Sequence, residues 1–204
     1  MQIAYGRRTR LAVLGAGVIT AAAVAISASG PALADTADTG GTATVSLTSA
    51  ILVNLAKSNV IVLPGSPVTS SYANGLDAYT LPVTGGDGEA SIFFGEVDFG
   101  GTVVLVNAKA GKTVTITNVQ LNFFTGALTG VLPGGTTQTA LAYFGGNESI
   151  SSSAGPPATE FFSADQLNLS GKAAKALNTD LNTTTFTRGT DIGTFTTTFD
   201  VTVT

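Results

Sequence analysis

The sequence predicts a mainly β fold, an antiparallel β-sandwich or barrel-like domain with two short helices. Three observations lead there. Some ten strand patterns are joined mostly by Gly-rich turns. Only two segments carry a helical apolar stripe, and strands and helices do not alternate regularly, which disfavours a parallel α/β architecture. The stretch from Ala90 to Leu132 also reads as consecutive strands. Within it, Phe93, Val97 and Phe99 fall on one side of a period of two, with Glu96 and Asp98 on the other. From Lys112 to Phe124 the apolar phase changes, with Val114 and Ile116 in one phase and Val119, Leu121 and Phe123 in the other. A flip near Thr117-Asn118 predicts a β-bulge, because one extra residue moves every later side chain to the opposite face.

In chain order, Arg7, Arg8 and Arg10 precede an apolar run from Leu11 to Ile26, and Ala32-Leu33-Ala34 supplies the small residues a signal peptidase requires. Residues 1–34 are expected to be a signal peptide cut between Ala34 and Asp35, which makes the protein secreted and extracellular. A retained transmembrane anchor is the rival reading, and Arg7-Arg8 leaves the twin-arginine route open beside the general secretory one. The polar residues 35–42 (DTADTGGT) are expected to be a flexible lead-in to a single domain over 43–204.

Ala43 to Leu47 reads as a short strand, followed by Thr48 as cap of a helix with Ile51, Leu52, Leu55 and Ala56 on one stripe. Asn59 to Leu63 resumes strand character until Pro64-Gly65-Ser66-Pro67 breaks it. Leu76 to Val83 and Thr137 to Phe144 are further strands. Gly145 to Thr159 (GGNESISSSAGPPAT) is expected to be a mobile surface loop. Gln166 to Leu169 reads as strand, Ser170 as cap, Gly171 to Leu181 as helix, and Thr183 to Thr187 as strand. Leu47-Thr48 with Leu55 and Leu169-Ser170 with Leu177 share an offset of eight residues. That fits a pseudo-repeat, and equally two unrelated strand-cap-helix starts. The segment from Thr194 to Val203 alternates Phe195, Thr197, Phe199, Val201 and Val203 with polar residues, a strand with one wet face.

After removal of 34 residues the chain keeps six Lys and Arg against thirteen Asp and Glu, a charge of −7, and its sequence holds no basic run. Such a balance repels phosphate backbones and anionic lipid, so no nucleic acid and no membrane is expected as partner of the mature domain. There is no cysteine and no histidine. Their absence removes disulfides, thiolate nucleophiles, the usual general base and the commonest transition-metal ligands.

The remaining motifs are weak. Leu81-Pro82-Val83-Thr84-Gly85 matches a sortase sorting signal in letters, but a long stretch of strand pattern follows it. Gly85-Gly86-Asp87-Gly88-Glu89 resembles half of a calcium-binding nonapeptide, yet Ala90 stands where that repeat has its liganding Asp. Glu96 and Asp98 could form a carboxylate pair for acid-base work, against the simpler reading of a solvated strand face. Tyr72, Tyr79 and Tyr143 read as packing residues. No cofactor, metal or catalytic residue is expected.

The central block, Gly95-Glu96-Val97-Asp98-Phe99-Gly100-Gly101 followed by two strands and Gly126-Ala127-Leu128-Thr129-Gly130-Val131, resembles the Htaa (haem-transport-associated) domain of actinobacterial secreted and surface proteins. A leading helix and a trailing L-[ST]-helix-F-x-x-G-x-x-x-G segment, here Leu169-Ser170 through Phe186, Gly189 and Gly193, extend the likeness over most of residues 43–195. The family's haem pocket uses a tyrosine from the leading helix region and a histidine after the F-x-G-type motif. Here no tyrosine stands between Ala43 and Val68, and Thr102 follows Gly100-Gly101. The resemblance therefore implies a relative of that fold without the family's haem ligands.

The expected function is a secreted, non-enzymatic binding or cell-envelope-associated module whose partner is a protein, an envelope component or a small apolar ligand. The alternatives are a carrier of haem or another apolar ligand, suggested by Phe93-Phe94, Phe123-Phe124 and Phe161-Phe162, and a hydrolase using Glu96 and Asp98. Intact-mass measurement on culture supernatant checks the export reading. A mature protein starting at Asp35 is expected, and a mass that includes residues 1–34 means that the apolar run is retained.

Overall fold

The computed structural model describes residues 36–73 and 75–203. The expected signal peptide over residues 1–34, its arginines and the expected cut between Ala34 and Asp35 lie outside them. Among the described residues no helix is long and apolar enough to cross a membrane.

Eight strands close into an antiparallel barrel, and they follow the ring in chain order. These are β1 (Thr36–Leu47), β4 (Leu76–Gly86), β5 (Glu96–Phe99), β7 (Lys112–Asn122), β8 (Ala127–Val131), β9 (Thr139–Ser153), β10 (Ala158–Leu169) and β11 (Gly193–Val203). Pairing of β11 with β1 and of β7 with β8 leaves no gap in the ring. The barrel half of the expectation therefore holds, and the sandwich does not. Three strands lie outside the ring: β2 (Val60–Gly65), β3 (Thr69–Ala73) and β6 (Thr102–Asn107). Two helices complete the fold, α1 (Ser49–Lys57) and α2 (Gly171–Leu181).

The expected bulge is present. Asn118 takes a left-handed φ of 49° and the β7 register shifts between Thr117 and Gln120. Opposite it, β5 and β6 form one bent ribbon along β7, Phe99 facing Val119 and Val103 facing Ile116, with Gly100-Gly101 at the bend. Gly101 has φ 93°, and a Cβ there would stand 2.6 Å from the Val68 side chain. The two kinks turn the β6 arm out of the barrel, where β2 pairs with it.

Both helices start as the sequence implies. Thr48 and Ser170 are extended N-caps whose hydroxyls accept from Ile51 N and Ala173 N at 3.3 and 3.0 Å. Each cap residue also donates its own N–H and Oγ–H to two successive carbonyls of a neighbouring segment, Ile192 and Asp191 for Thr48, Leu141 and Ala140 for Ser170. Ile51 and Leu55 are buried; Ala56 of the expected stripe is exposed.

Four readings are corrected. Residues 36–42 are strand, because β11 supplies ladder partners along them, joined by β4 only from Thr42 onward, and Gly40 and Gly41 absorb a bulge at left-handed φ. The supposed loop at 145–159 is mostly a hairpin between β9 and β10, with Ser151, Ser152 and Ser153 paired across to Phe161, Glu160 and Thr159. Residues 183–187 form no strand: the Asn178 side chain takes both the N–H and the carbonyl of Phe186. Phe93 leaves the strand pattern and sits at φ 53°, ending a 3-10 turn over Ala90–Ile92.

β11 alternates as expected, with Phe195, Thr197, Phe199 and Val201 buried and Thr194, Thr196 and Thr198 exposed. Phe199→Asp is expected to unfold the domain, since an unpaired buried carboxylate costs several kcal/mol, comparable to the whole stability of a domain. Thr198→Asp is expected to melt close to the wild type. Equal losses in thermal denaturation would reverse the assignment of faces.

Candidate functional site

The two ends of the barrel differ in chemistry. At the end where β1 and β10 run into α1 and α2, a partly enclosed cavity of about 140 Å³ opens between strands, helices and the β2–β6 arm. Every lining residue is apolar except Tyr79, and the Tyr79 hydroxyl is spent on the Val62 carbonyl at 3.0 Å. Burial, with a lesser contribution from the Asp77 charge, pushes that phenol up to about 12. The two helix starts contribute matching pairs to the wall: Leu47 with Leu169, Ile51 with Ala173, Leu55 with Leu177. The offset of eight residues seen in the sequence is thus a shared contribution to one cavity.

Below the cavity the barrel is filled by phenylalanines, including Phe144 against Phe162 at 5.0 Å, Phe123 against Phe162 at 5.5 Å and Phe144 against Phe195 at 5.4 Å between ring centres. The aromatic doublets singled out in the sequence do not line a common pocket. The turn after β7 buries Phe123 and leaves Phe124 83% exposed, and alternation along β10 buries Phe162 and leaves Phe161 part-buried on the other face. Phe93 and Phe94 are both about half exposed on the loop between β4 and β5.

That loop closes the far end, and two buried carboxylates hold it. Asp38 Oδ2 accepts from Gly88 N at 2.7 Å, and Glu160 Oε2 accepts from Ala90 N and from Ser91 N, the latter at 3.3 Å. Both acids are nearly inaccessible, and Asp38 Oδ1 has no hydrogen-bond partner. Desolvation, opposed by the Gly88 N–H and reinforced by the charges of Asp87, Glu160 and Asp98, raises Asp38 from 3.8 to about 7. Neither acid was marked by the sequence, because Asp38 lies in what reads as a lead-in and Glu160 beside what reads as a loop.

The residues that the sequence did single out are structural here. Asp98 Oδ1 accepts from Gln120 Nε2 at 2.6 Å and Glu96 Oε1 from Asn122 Nδ2, each the directly opposed residue on β7. In the glycine-rich turn, Asp87 Oδ1 accepts from Glu96 N and Glu89 Oε1 from Ser91 Oγ. Among the described residues no three Asp, Glu, His or Cys stand together as a metal would need. Leu81 and Val83 of the LPVTG stretch are buried in β4. Tyr72 is exposed and Tyr143 half exposed.

Neither a protein-family model nor a curated protein matches the chain. Among solved structures, the heme binding protein HtaB from Corynebacterium glutamicum is similar at 14% identity and a TM-score of 0.47, over 81% of this chain and 94% of that one. A likeness at that level carries neither fold nor function.

Asp38 gives the site a signed pH dependence. Its folded value lies above the unfolded one, so its contribution is fully present below about pH 4 and is lost as pH rises through about 7, by roughly 1.4 kcal/mol per unit separating the two values. Asp38→Asn keeps an acceptor for Gly88 N–H and cannot ionise. The melting temperature of the wild type, relative to this variant, is expected to fall between pH 4 and pH 8. Parallel pH profiles would show that Asp38 does not titrate in this range.

Proposed function

We propose that the domain is a non-catalytic extracellular binding module that takes a small apolar group into the cavity beneath α1 and α2. The observation that carries this reading is the cavity itself. Protein interiors have few voids larger than a water molecule. At about 24 cal/mol per Å³, an unfilled space of about 140 Å³ costs on the order of 3 kcal/mol, a large fraction of a domain's stability. Ala142 and Ala173, both fully buried, stand in its wall where larger side chains would fill it. An apolar cavity of this size stays dry and admits a molecule such as benzene.

The non-catalytic part of the reading rests on chemistry. The chain has no histidine and no cysteine, and its buried carboxylates are bound to backbone N–H groups. The Htaa resemblance brings haem into question, and three features speak against it here. The cavity is smaller than the roughly 300 Å³ at which pockets for drug-sized ligands begin. The family's tyrosine and histidine positions hold no ligand-bearing residue. Tyr79, the one phenol in the wall, is hydrogen-bonded and held near 12, far from the phenolate that iron would need.

Toluene near saturation is expected to raise the melting temperature by several degrees, as a ligand bound only to the folded state must. Ala142→Leu and Ala173→Leu, each placing a larger side chain in the cavity, are expected to abolish that rise without unfolding the domain. Hemin is expected to give no shifted Soret band at micromolar protein. An equal toluene effect in both filled variants, or ligated hemin, overturns the reading.

A further inference from the structure

A second pocket, of about 480 Å³, lies beyond the C-terminal ends of both helices. Its walls are polar: Lys57 and Ser58 at the end of α1, Asn107 and Lys109 at the tip of the β6–β7 arm, and Asn182 and Thr183 after α2. Among the described residues no carboxylate lines it, and no aromatic ring. We infer that this pocket binds a multiply charged oxyanion, a phosphate-bearing group carried by a small molecule or by an anionic polymer, with Lys57 and Lys109 as its charged contacts.

The first argument is the distribution of charge over the whole domain. Although the mature chain is at −7, all six of its Lys and Arg stand at one end: Lys57 on α1, Lys109 and Lys112 at the β6–β7 turn, Lys172 and Lys175 on α2, and Arg188 in the segment after it. Three carboxylates share that end, Asp77, Asp180 and Asp191, which leaves it at +3. The other described acids lie on the strands and on the loop that closes the far end. A bipolar protein of this kind draws an anion to its basic end and repels it from the rest. The sequence holds no basic run because these residues come from four separate segments.

The second argument is the chemistry of the walls. Helix C-termini carry about half a negative charge each and would by themselves disfavour an anion. Here that tendency is met from within: Leu181 O accepts from Asn107 Nδ2 at 3.0 Å, and Asn178 O accepts from Thr183 N. Asn107 is in turn fixed by Ala110 N, which donates to its Oδ1. The rim is therefore rigid, and its two ammonium groups remain available as donors, the point-charge mode in which lysine binds phosphate.

Pyrophosphate and a long-chain polyphosphate serve as probes on the mature protein, with affinity followed by calorimetry and with amide spectra of Asn59, Asn107 and Asn182 locating the site. Lys57→Gln with Lys109→Gln is expected to weaken binding about tenfold or more. Lys172→Gln with Lys175→Gln, which removes the same charge from α2 outside the pocket, is expected to weaken it far less. All four side chains lie on the surface, so both double variants are expected to fold. Pocket-dependent binding of pyrophosphate supports a small-molecule source, and pocket-dependent binding of the polymer alone supports a polymeric one. Equal losses in the two double variants, or no binding of either probe at low salt, overturns the inference.

Discussion

The structure depends on a pair of facing kinks. Gly100-Gly101 bends the β5–β6 ribbon at the place where Thr117-Asn118 bulges β7. Because the two irregularities are opposite one another, the ladder resumes on both sides, with Glu96–Phe99 and Val119–Asn122 inside the barrel and Val103–Asn107 and Lys112–Ile116 outside it. A straight ribbon would keep β6 in line with β5, and β2 would then have no edge beside the helices. The bend also reverses which face of β7 is apolar, so Val114 and Ile116 are buried under the helices while Leu121 and Phe123 are buried in the barrel.

From that bend the interior sorts into layers. The helix-covered end is apolar and incompletely filled. The middle is packed with phenylalanine. The far end is polar, with Asp38 and Glu160 facing inward on strands whose neighbours in the same face are Phe199 and Val201. Those two carboxylates are there because the β4–β5 loop turns its N–H groups into the barrel mouth, and buried N–H groups require acceptors. Asp38 is the less well compensated of the two, holding one bond and leaving one oxygen unpaired.

Local pattern in the sequence showed what local interactions decide. The bulge was legible because a phase change is written in the apolar positions themselves, and both helix starts because a cap and its stripe lie within eight residues. What depends on partners was not legible. Residues 36–42 and Ser151-Ser152-Ser153 carry no strand signal of their own, and become strand because β11 and β10 offer ladder bonds from more than a hundred and from ten or fewer residues away. The converse holds for Thr183 to Thr187, where β-branched residues favour a strand but no edge is available. The cavity wall was half legible, since the Leu47/Leu169 and Leu55/Leu177 matches were visible but not that they meet. The basic end was invisible, because its lysines are brought together only by the fold.

The placement of both candidate pockets follows from how the ring is closed. Successive barrel strands are neighbours in chain order, and α1 and α2 are excursions from a ring already complete without them. Each helix is tied to the barrel at its start, through Thr48 to Ile192 and Asp191 and through Ser170 to Leu141 and Ala140, and at its end to the β6–β7 arm outside the ring, through Asn107 Nδ2 to Leu181 O and Ala108 N to Asn59 O. Displacing the C-terminal part of either helix breaks no ladder hydrogen bond, whereas opening the barrel anywhere else breaks several. A fold of this kind can therefore leave space unfilled only at the helix end without risk to its closure. That is where the apolar cavity lies, and the polar pocket stands just beyond it: Leu105 lines the one and Asn107 the other, two residues apart on the same face of β6.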